Sequence, residues 1–264
     1  MKIGILGAME EEIRLLTQQI SNKHSEIIGK REYINGQLAN HDVCLVFSRW
    51  GKVAAASTAT TLVQRYGVER LIFTGVAGGI DPTLNIGDIV VADNLVQHDM
   101  DVSFLPDMAE FEIPLLGVSD FRVREKDVQT AIQAVTTYLN VDLPQQVAQE
   151  TLASFSITRP QVVRGTIASG DQFISSSAQT ARLKEKIPGL RCVEMEGAAV
   201  AQVACEHDIP CLVLRTISDK ANHEAPADFP RFIASVASFF TCGSVLRLLE
   251  RLKEQEIKKA HTGS

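Results

Sequence analysis

A chain of 264 residues, 45% of them hydrophobic, is long enough to bury a substantial core in one domain. With 32 acids against 26 lysines and arginines it carries a formal charge of −6. The basic residues are scattered among the acids, so the chain offers no electrostatic footprint for nucleic acid or anionic lipid. No run of eighteen apolar residues occurs, so no bilayer span is expected.

In chain order, Lys2–Leu6 is a short apolar run that reads as a strand, and Glu10–Ile20 follows as a helix with three acids in its first turn. Tyr33–Leu38 and Val43–Ser48 read as strands and Val53–Tyr66 as a helix. Arg70–Gly75 and Asp88–Val96 are again strand-like. From His98 to Phe121 the sequence mixes acids, prolines and aromatics with no regular period, which suits a functional or interface loop. Lys126–Leu139 reads as a helix, and 143–160 as a surface excursion with a short helix. Val162–Ser169, Arg191–Met195 and Cys211–Ile217 complete the strands, alternating with helices at Ala178–Lys186, Ala198–His207 and Phe229–Lys253. Pro188-Gly189 and Asp208-Ile209-Pro210 stop helices ahead of strands. Such alternation predicts an α/β fold, a mainly parallel or mixed sheet covered by helices on both faces. The chain has no internal repeat. Residues 1–255 are expected to form one domain and 256–264 a flexible tail.

Five cysteines, Cys44, Cys192, Cys205, Cys211 and Cys242, form no C-x-x-C pair and sit mostly in apolar runs, so they are expected to be reduced core residues of a cytoplasmic protein. The apolar stretch Ile3–Met9 is short for a secretion signal and runs into glutamates. Six histidines show no metal-binding spacing and most are expected at the surface; His98-Asp99-x-Asp101 is the nearest thing to a metal motif. No G-x-S-x-G elbow is present to support a serine hydrolase.

The chemistry concentrates at three acidic stations, each where a strand-like run gives way to a loop or helix. In open α/β sheets ligands bind at the carboxyl ends of strands, so acids gathered there can act on one small molecule. The first is Glu10-Glu11-Glu12. Negative charge is favoured at a helix start, but helical spacing spreads the three around the axis so that one reaches the ligand end. The second is Val193-Glu194-Met195-Glu196, whose alternation places both glutamates on one face; a buried carboxylate there needs partners, and vicinal sugar hydroxyls are suitable ones. The third is Asp219, after the apolar Leu212–Ile217, with Ser218 beside it. It is placed to protonate or hydrogen-bond a heterocycle nitrogen, with Arg215 expected to influence its ionisation, or simply to cap a turn. Thr74-Gly75-Val76-Ala77-Gly78-Gly79 reads as a glycine-rich loop after a strand. It lacks the Lys-Ser/Thr of a phosphate loop, and its glycines either let the backbone approach a ligand or make a tight turn.

Taken in order, Gly7-Ala8-Met9-Glu10-Glu11-Glu12, Gly51-Lys52-Val53-Ala54, Thr74–Gly79, Gly87-Asp88-Ile89, His98-Asp99-Met100-Asp101-Val102, Ser169-Gly170-Asp171-Gln172-Phe173-Ile174, Val193-Glu194-Met195-Glu196 and Ser218-Asp219 resemble the 5′-methylthioadenosine/S-adenosylhomocysteine nucleosidase family, whose parent fold is that of the purine nucleoside phosphorylases. The resemblance covers nearly the whole chain. It implies a three-layer α/β/α domain with a central mixed sheet, a homodimer, no metal or organic cofactor, and hydrolysis of the N-glycosidic bond to adenine and a 5-thio-substituted ribose. It implies that Glu12 activates water, that Glu196 with the Met195 main chain holds the ribose hydroxyls, and that Asp219 assists protonation of adenine. Phe173 and Ile174 would form the base site with Gly78 and Ser218 nearby, and Met9 would pack near the ribose. Phe229 would close over the pocket, and Val102 and Phe104 would complete the 5′-thioalkyl pocket of the neighbouring subunit. Two departures stand out. Trp50 lies where the family commonly has a small or aliphatic residue and is expected to reshape the pocket near the 5′ substituent. Val76 lies where it has serine, removing a hydroxyl that could hold water or phosphate. Competing readings are a futalosine hydrolase or nucleoside phosphorylase of the same fold, and a nucleoside-binding module without catalysis.

Overall fold

From Ile3 onward every residue of strand β1 (Lys2–Gly7) is buried in the computed structural model, which describes residues 1–222 and 224–262. The expectations for His223, the His261 side chain and residues 263–264 lie outside what is described. β1 runs parallel between β4 (His41–Phe47) and β5 (Arg70–Gly79). Beyond β4 the sheet continues antiparallel through β3 (Arg31–Leu38) to β2 (Ser21–Ile28). On the other side β5 pairs in parallel with β10 (Cys211–Asp219), and its last glycines pair antiparallel with β9 (Leu190–Glu194). β6 (Ile89–Gln97) joins β10 to β8 (Val162–Ser169), and β8 joins β9. Strands β5, β10, β6, β8 and β9 therefore close into a ring at one end of the mixed sheet. A short β7 (Phe121–Arg122) lies beside β6.

The period of two along each strand divides its side chains between two cores. Ile3, Ile5, Val43, Leu45, Leu212 and Leu214 face one core, and Leu6, Cys44, Val46, Phe73 and Val213 the other. The first is covered by α1 (Glu10–Gln19), α3 (Glu125–Thr137) and α9 (Ser238–Thr262), the second by α2 (Lys52–Tyr66) and α7 (Gly197–Glu206). Three layers result, as expected. Gly67, at φ 64°, ends α2 in the left-handed cap that glycine adopts without a Cβ penalty, and its N–H bonds back to Val63 O. Short helices α4 (Leu143–Gln146) and α5 (Gln149–Ala153) occupy the predicted excursion, and α6 (Ser177–Lys186) precedes β9. The chain after β10 is helical from α8 (Ala225–Phe232) through a π-helical segment, Ile233–Ala237, into α9. Of this, 228–258 is long and apolar enough to cross a membrane by length and composition, but most of it is buried in the first core.

Two expectations are corrected, and one of the histidines is buried. Thr74–Gly79 is not a loop: β5 continues to Gly79 because β10 and β9 pair with it on either side. Cys205 is exposed near the end of α7, although all five cysteines are free. His41 is buried, its ring bonded to Leu249 O at 2.9 Å.

Candidate active site

The carboxyl ends of the parallel strands β1, β5 and β10 share one edge of the sheet, and the end of β9 lies across β5 there. Of the three glutamates that follow β1, Glu10 and Glu11 are exposed and Glu12 is buried, as helical spacing predicts. Glu12 Oε2 accepts from Met9 N at 2.9 Å, while Oε1 accepts from Val76 N, in β5, at 3.0 Å. The carboxylate therefore ties the helix start to the neighbouring strand. Gly75 makes room for it: a Cβ at that position would stand 2.6 Å from Glu12 Oε1. Burial raises the Glu12 pKa, opposed by Arg215 and by backbone N–H groups.

The second station splits. β9 ends at Glu194, and the backbone at Glu196 (φ −140°, ψ −38°) has left the strand to begin α7, so the two acids do not share a strand face as alternation suggested. Glu194 is committed to structure. Its Oε2 accepts from Arg215 Nη2 at 2.5 Å and Nε at 3.1 Å, and its carboxylate also accepts from Ser169 Oγ, Glu196 N and Gly197 N. Glu196 Oε1 accepts from Gly51 N at 2.8 Å. Burial, with Glu194 close by, pushes the Glu196 pKa up to about 8, against the opposing pull of Arg215.

At the third station Asp219 Oδ1 accepts from Ala221 N at 2.8 Å and Oδ2 from Ser218 Oγ at 2.9 Å. Burial raises its pKa despite these bonds, and Asp228 adds to the rise. Arg215 was expected to act on Asp219; instead its guanidinium meets Glu194 and stacks over the Phe73 ring, 4.0 Å from the centroid. A strand side chain in a closed ring points to one face only, and on that face Glu194 is the anion within reach.

These stations open on one cavity of about 600 Å³, including its mouth. Glu12, Glu196, Asp219 and Ser218 line it with Met9, Met195 and Gly78. Trp50, Phe173, Ile174 and Phe229 form its aromatic and aliphatic wall. Three predicted residues are not in that lining. Arg215 lies behind Glu194, Val102 is half-buried and Phe104 is 81% exposed on the 98–121 loop, outside this pocket. Sequence reasoning did not assign Ala8, Ala77, Gln172 or Val193 to the site; each lies within two positions of a residue it did assign. Glu194 lines the cavity too, but as the anchor of Arg215.

Every charged side chain in the lining is acidic. His98, Asp99 and Asp101 do not gather around a point: Asp99 pairs with Lys52 at 2.6 Å and Asp101 turns to Ser103. Among the described residues no group of three His, Cys, Asp or Glu is arranged to hold a metal.

Comparison with known proteins agrees with this geometry. The Phosphorylase superfamily profile matches residues 2–250. A 5′-methylthioadenosine/S-adenosylhomocysteine nucleosidase of Bacillus thuringiensis (strain Al Hakam) is 35% identical over 253 residues, 96% of this chain and all of the relative. The nucleosidase of that name from Colwellia psychrerythraea 34H, solved in complex with adenine, superposes with a TM-score of 0.84 at 31% identity, covering 96% of each chain. The futalosine hydrolase of Helicobacter pylori strain 26695 superposes with a TM-score of 0.76 at 32% identity, over 96% of this chain and 97% of its own. This chain belongs to the phosphorylase superfamily and, within it, to the family of 5′-methylthioadenosine/S-adenosylhomocysteine nucleosidases.

Proposed function

We propose that the protein is an N-ribosyl hydrolase that cleaves 5′-methylthioadenosine and S-adenosylhomocysteine to adenine and the 5-substituted ribose. The observation that carries this is the meeting of Glu12, Glu196 and Asp219 in one cavity whose charged lining is entirely acidic. Cleavage of a purine ribosyl bond passes through an oxocarbenium-like state, so it needs a proton for the departing base and a base for the attacking water. Asp219, its pKa raised by burial, supplies the proton to an adenine ring nitrogen. Glu12, also raised but held by two backbone N–H groups, takes the proton of the water that attacks C1′. The two steps balance: one proton leaves Asp219, one reaches Glu12, and the C1′–N bond is replaced by C1′–O. Glu196 accepts from the ribose hydroxyls, with the Met195 main chain beside it.

The charge pattern also favours water over phosphate as nucleophile. A phosphorylase must hold a dianion, and here the nearest buried cation, Arg215, is already engaged by Glu194. Val76 provides no hydroxyl in its place. Futalosine is the second candidate substrate, because a futalosine hydrolase shares the fold at similar identity.

We further propose a cytoplasmic homodimer acting in methionine salvage, in which Val102 and Phe104 close the partner's pocket; the 81% exposure of Phe104 in one chain supports this. The test of the reaction is adenine release from each nucleoside by wild type and by Asp219→Asn. General acid catalysis is worth about 10²–10⁴-fold, so the variant should lose at least 100-fold in kcat while unfolding at the wild-type temperature within a few degrees. Wild-type rates in Asp219→Asn, or release of a purine base from futalosine alone, would overturn the assignment.

A further inference from the structure

The segment that carries the base wall has few anchors of its own. After β8 the chain runs without helix or strand from Gly170 to Ser176, and Phe173 and Ile174 line the cavity from it. Among the described residues no backbone hydrogen bond fixes 172–175, so the segment is set at its two ends. At the far end Ser176 caps α6 by accepting from Gln179 N at 3.3 Å. At the near end Gly170 N donates to Glu194 O at 3.2 Å and Asp171 N to Asp99 Oδ2 at 2.8 Å.

Asp99 stands just beyond the end of β6, and its two oxygens take different donors. While Oδ2 holds Asp171, Oδ1 accepts from Lys52 Nζ at 2.6 Å. Lys52 Nζ also donates to Gln97 Oε1 at 3.1 Å, and Gln97 Nε2 to Gln202 Oε1, on α7, at 2.6 Å. Lys52 N completes a ring of bonds by donating to Asp171 Oδ1 at 2.8 Å. Gly170 lets the two segments touch: a Cβ there would stand 2.4 Å from the His98 ring and 3.0 Å from Asp99 Cγ.

Resting on the nucleosidase reading above, we propose that Asp99 is a positioning residue for the reaction: its carboxylate holds 171–174, and with it Phe173 and Ile174, so that the base meets Asp219. The joint needs two acceptors at one point, one for an ammonium and one for a backbone N–H, and a carboxylate offers both. An amide of the same shape has one acceptor oxygen, and its NH2 group would face a donor whichever way it turned. Asp99 and Lys52 keep 20% and 15% of their side chains exposed, and ion pairs open to water contribute modestly to global stability. The loss of this clamp therefore falls on the alignment of base and acid, where a displacement of about 1 Å is worth about 100-fold in rate.

The experiment compares wild type, Asp99→Asn, Gly170→Ala and the double variant by adenine release from methylthioadenosine, and by calorimetric titration with adenine and, separately, with 5-methylthioribose. Asp99→Asn should bind adenine about tenfold more weakly, the loss expected for one charge-assisted hydrogen bond, and lose about 100-fold in kcat/KM. Its affinity for 5-methylthioribose should stay within about threefold, and its unfolding temperature within a few degrees of wild type. Gly170→Ala, which keeps the Asp99–Lys52 pair, should weaken adenine in the same selective way. Because both substitutions open one joint, the double variant should lose less than the sum of the two single losses. Wild-type adenine affinity in Asp99→Asn, equal weakening of adenine and methylthioribose, or full additivity in the double variant overturns the proposal. A wild type that binds adenine but releases none from methylthioadenosine would overturn the hydrolase reading, and a selective loss of adenine affinity in Asp99→Asn would still uphold the clamp.

Discussion

Replacing Arg215 by methionine isolates the electrostatic frame of the site. The Arg215 and Glu194 side chains are 1% and 3% exposed, so neither charge has water as an alternative partner. Methionine fills much of the aliphatic volume but leaves the Glu194 carboxylate, among the described residues, with Ser169 Oγ and the Glu196 and Gly197 N–H groups as donors. Breaking a buried pair on one side costs about 3–5 kcal/mol, and the surviving donors place this case near the lower end. Removing both charges with Arg215→Met and Glu194→Gln together leaves no orphan ion, so the double variant should be more stable than the single one despite its extra substitution. Denaturant unfolding at pH 7 measures this directly. The same substitution should move activity. Arg215 lowers the pKa of both Glu12 and Glu196, so its loss raises both, and the acidic limb of the kcat/KM profile should shift to higher pH. A single variant that loses less than about 1 kcal/mol, or a double variant that is the less stable of the two, would refute the idea that this pair is held by mutual need.

Gly75→Ala should abolish activity out of proportion to its size. The new methyl group would lie 2.6 Å from Glu12 Oε1, at a backbone φ of 156°, so the carboxylate must move off Val76 N; a kcat within threefold of wild type would contradict the placement. For Glu196, whose pKa rises from an ordinary 4.5 to about 8, the folded chain holds a proton that the unfolded chain has released throughout that window. Stability should therefore fall as pH rises from 4.5 towards 8, by up to about 1.4 kcal/mol per pH unit from this group, and Glu196→Gln should flatten the slope. Thermal unfolding at several pH values in both proteins checks the sign. Ribose hydroxyls donating to the ionised carboxylate would lower that pKa, so binding of a slowly cleaved nucleoside near pH 7 should release a proton, measurable as a buffer-dependent binding enthalpy.

Much of this was legible in the chain because the strongest signals are local. Val43–Val46 and Leu212–Leu214 alternate between two buried faces, and Glu12 is the one acid of three that helix geometry turns inward. β2 was missed for the converse reason. Residues 21–26 are exposed and polar, part of an edge strand specified by pairing with β3, and they carry no apolar pattern. The run of glycines ending β5 suggested a loop because glycine is a poor strand former; pairing on both sides overrides that preference. The partner of Arg215 was invisible since 21 positions separate it from Glu194. Yet an arginine inside Leu212–Ile217 was itself a signal, because a buried guanidinium requires an anion. Backbone donors such as Val76 N leave no trace in side-chain identity, so the grip on Glu12 could only be found in three dimensions.

The central claim is hydrolysis, and its most direct measurement is the identity of the sugar product formed from methylthioadenosine with and without inorganic phosphate. The account predicts adenine and free 5-methylthioribose at the same rate in both; a ribose 1-phosphate whose formation depends on phosphate would contradict it.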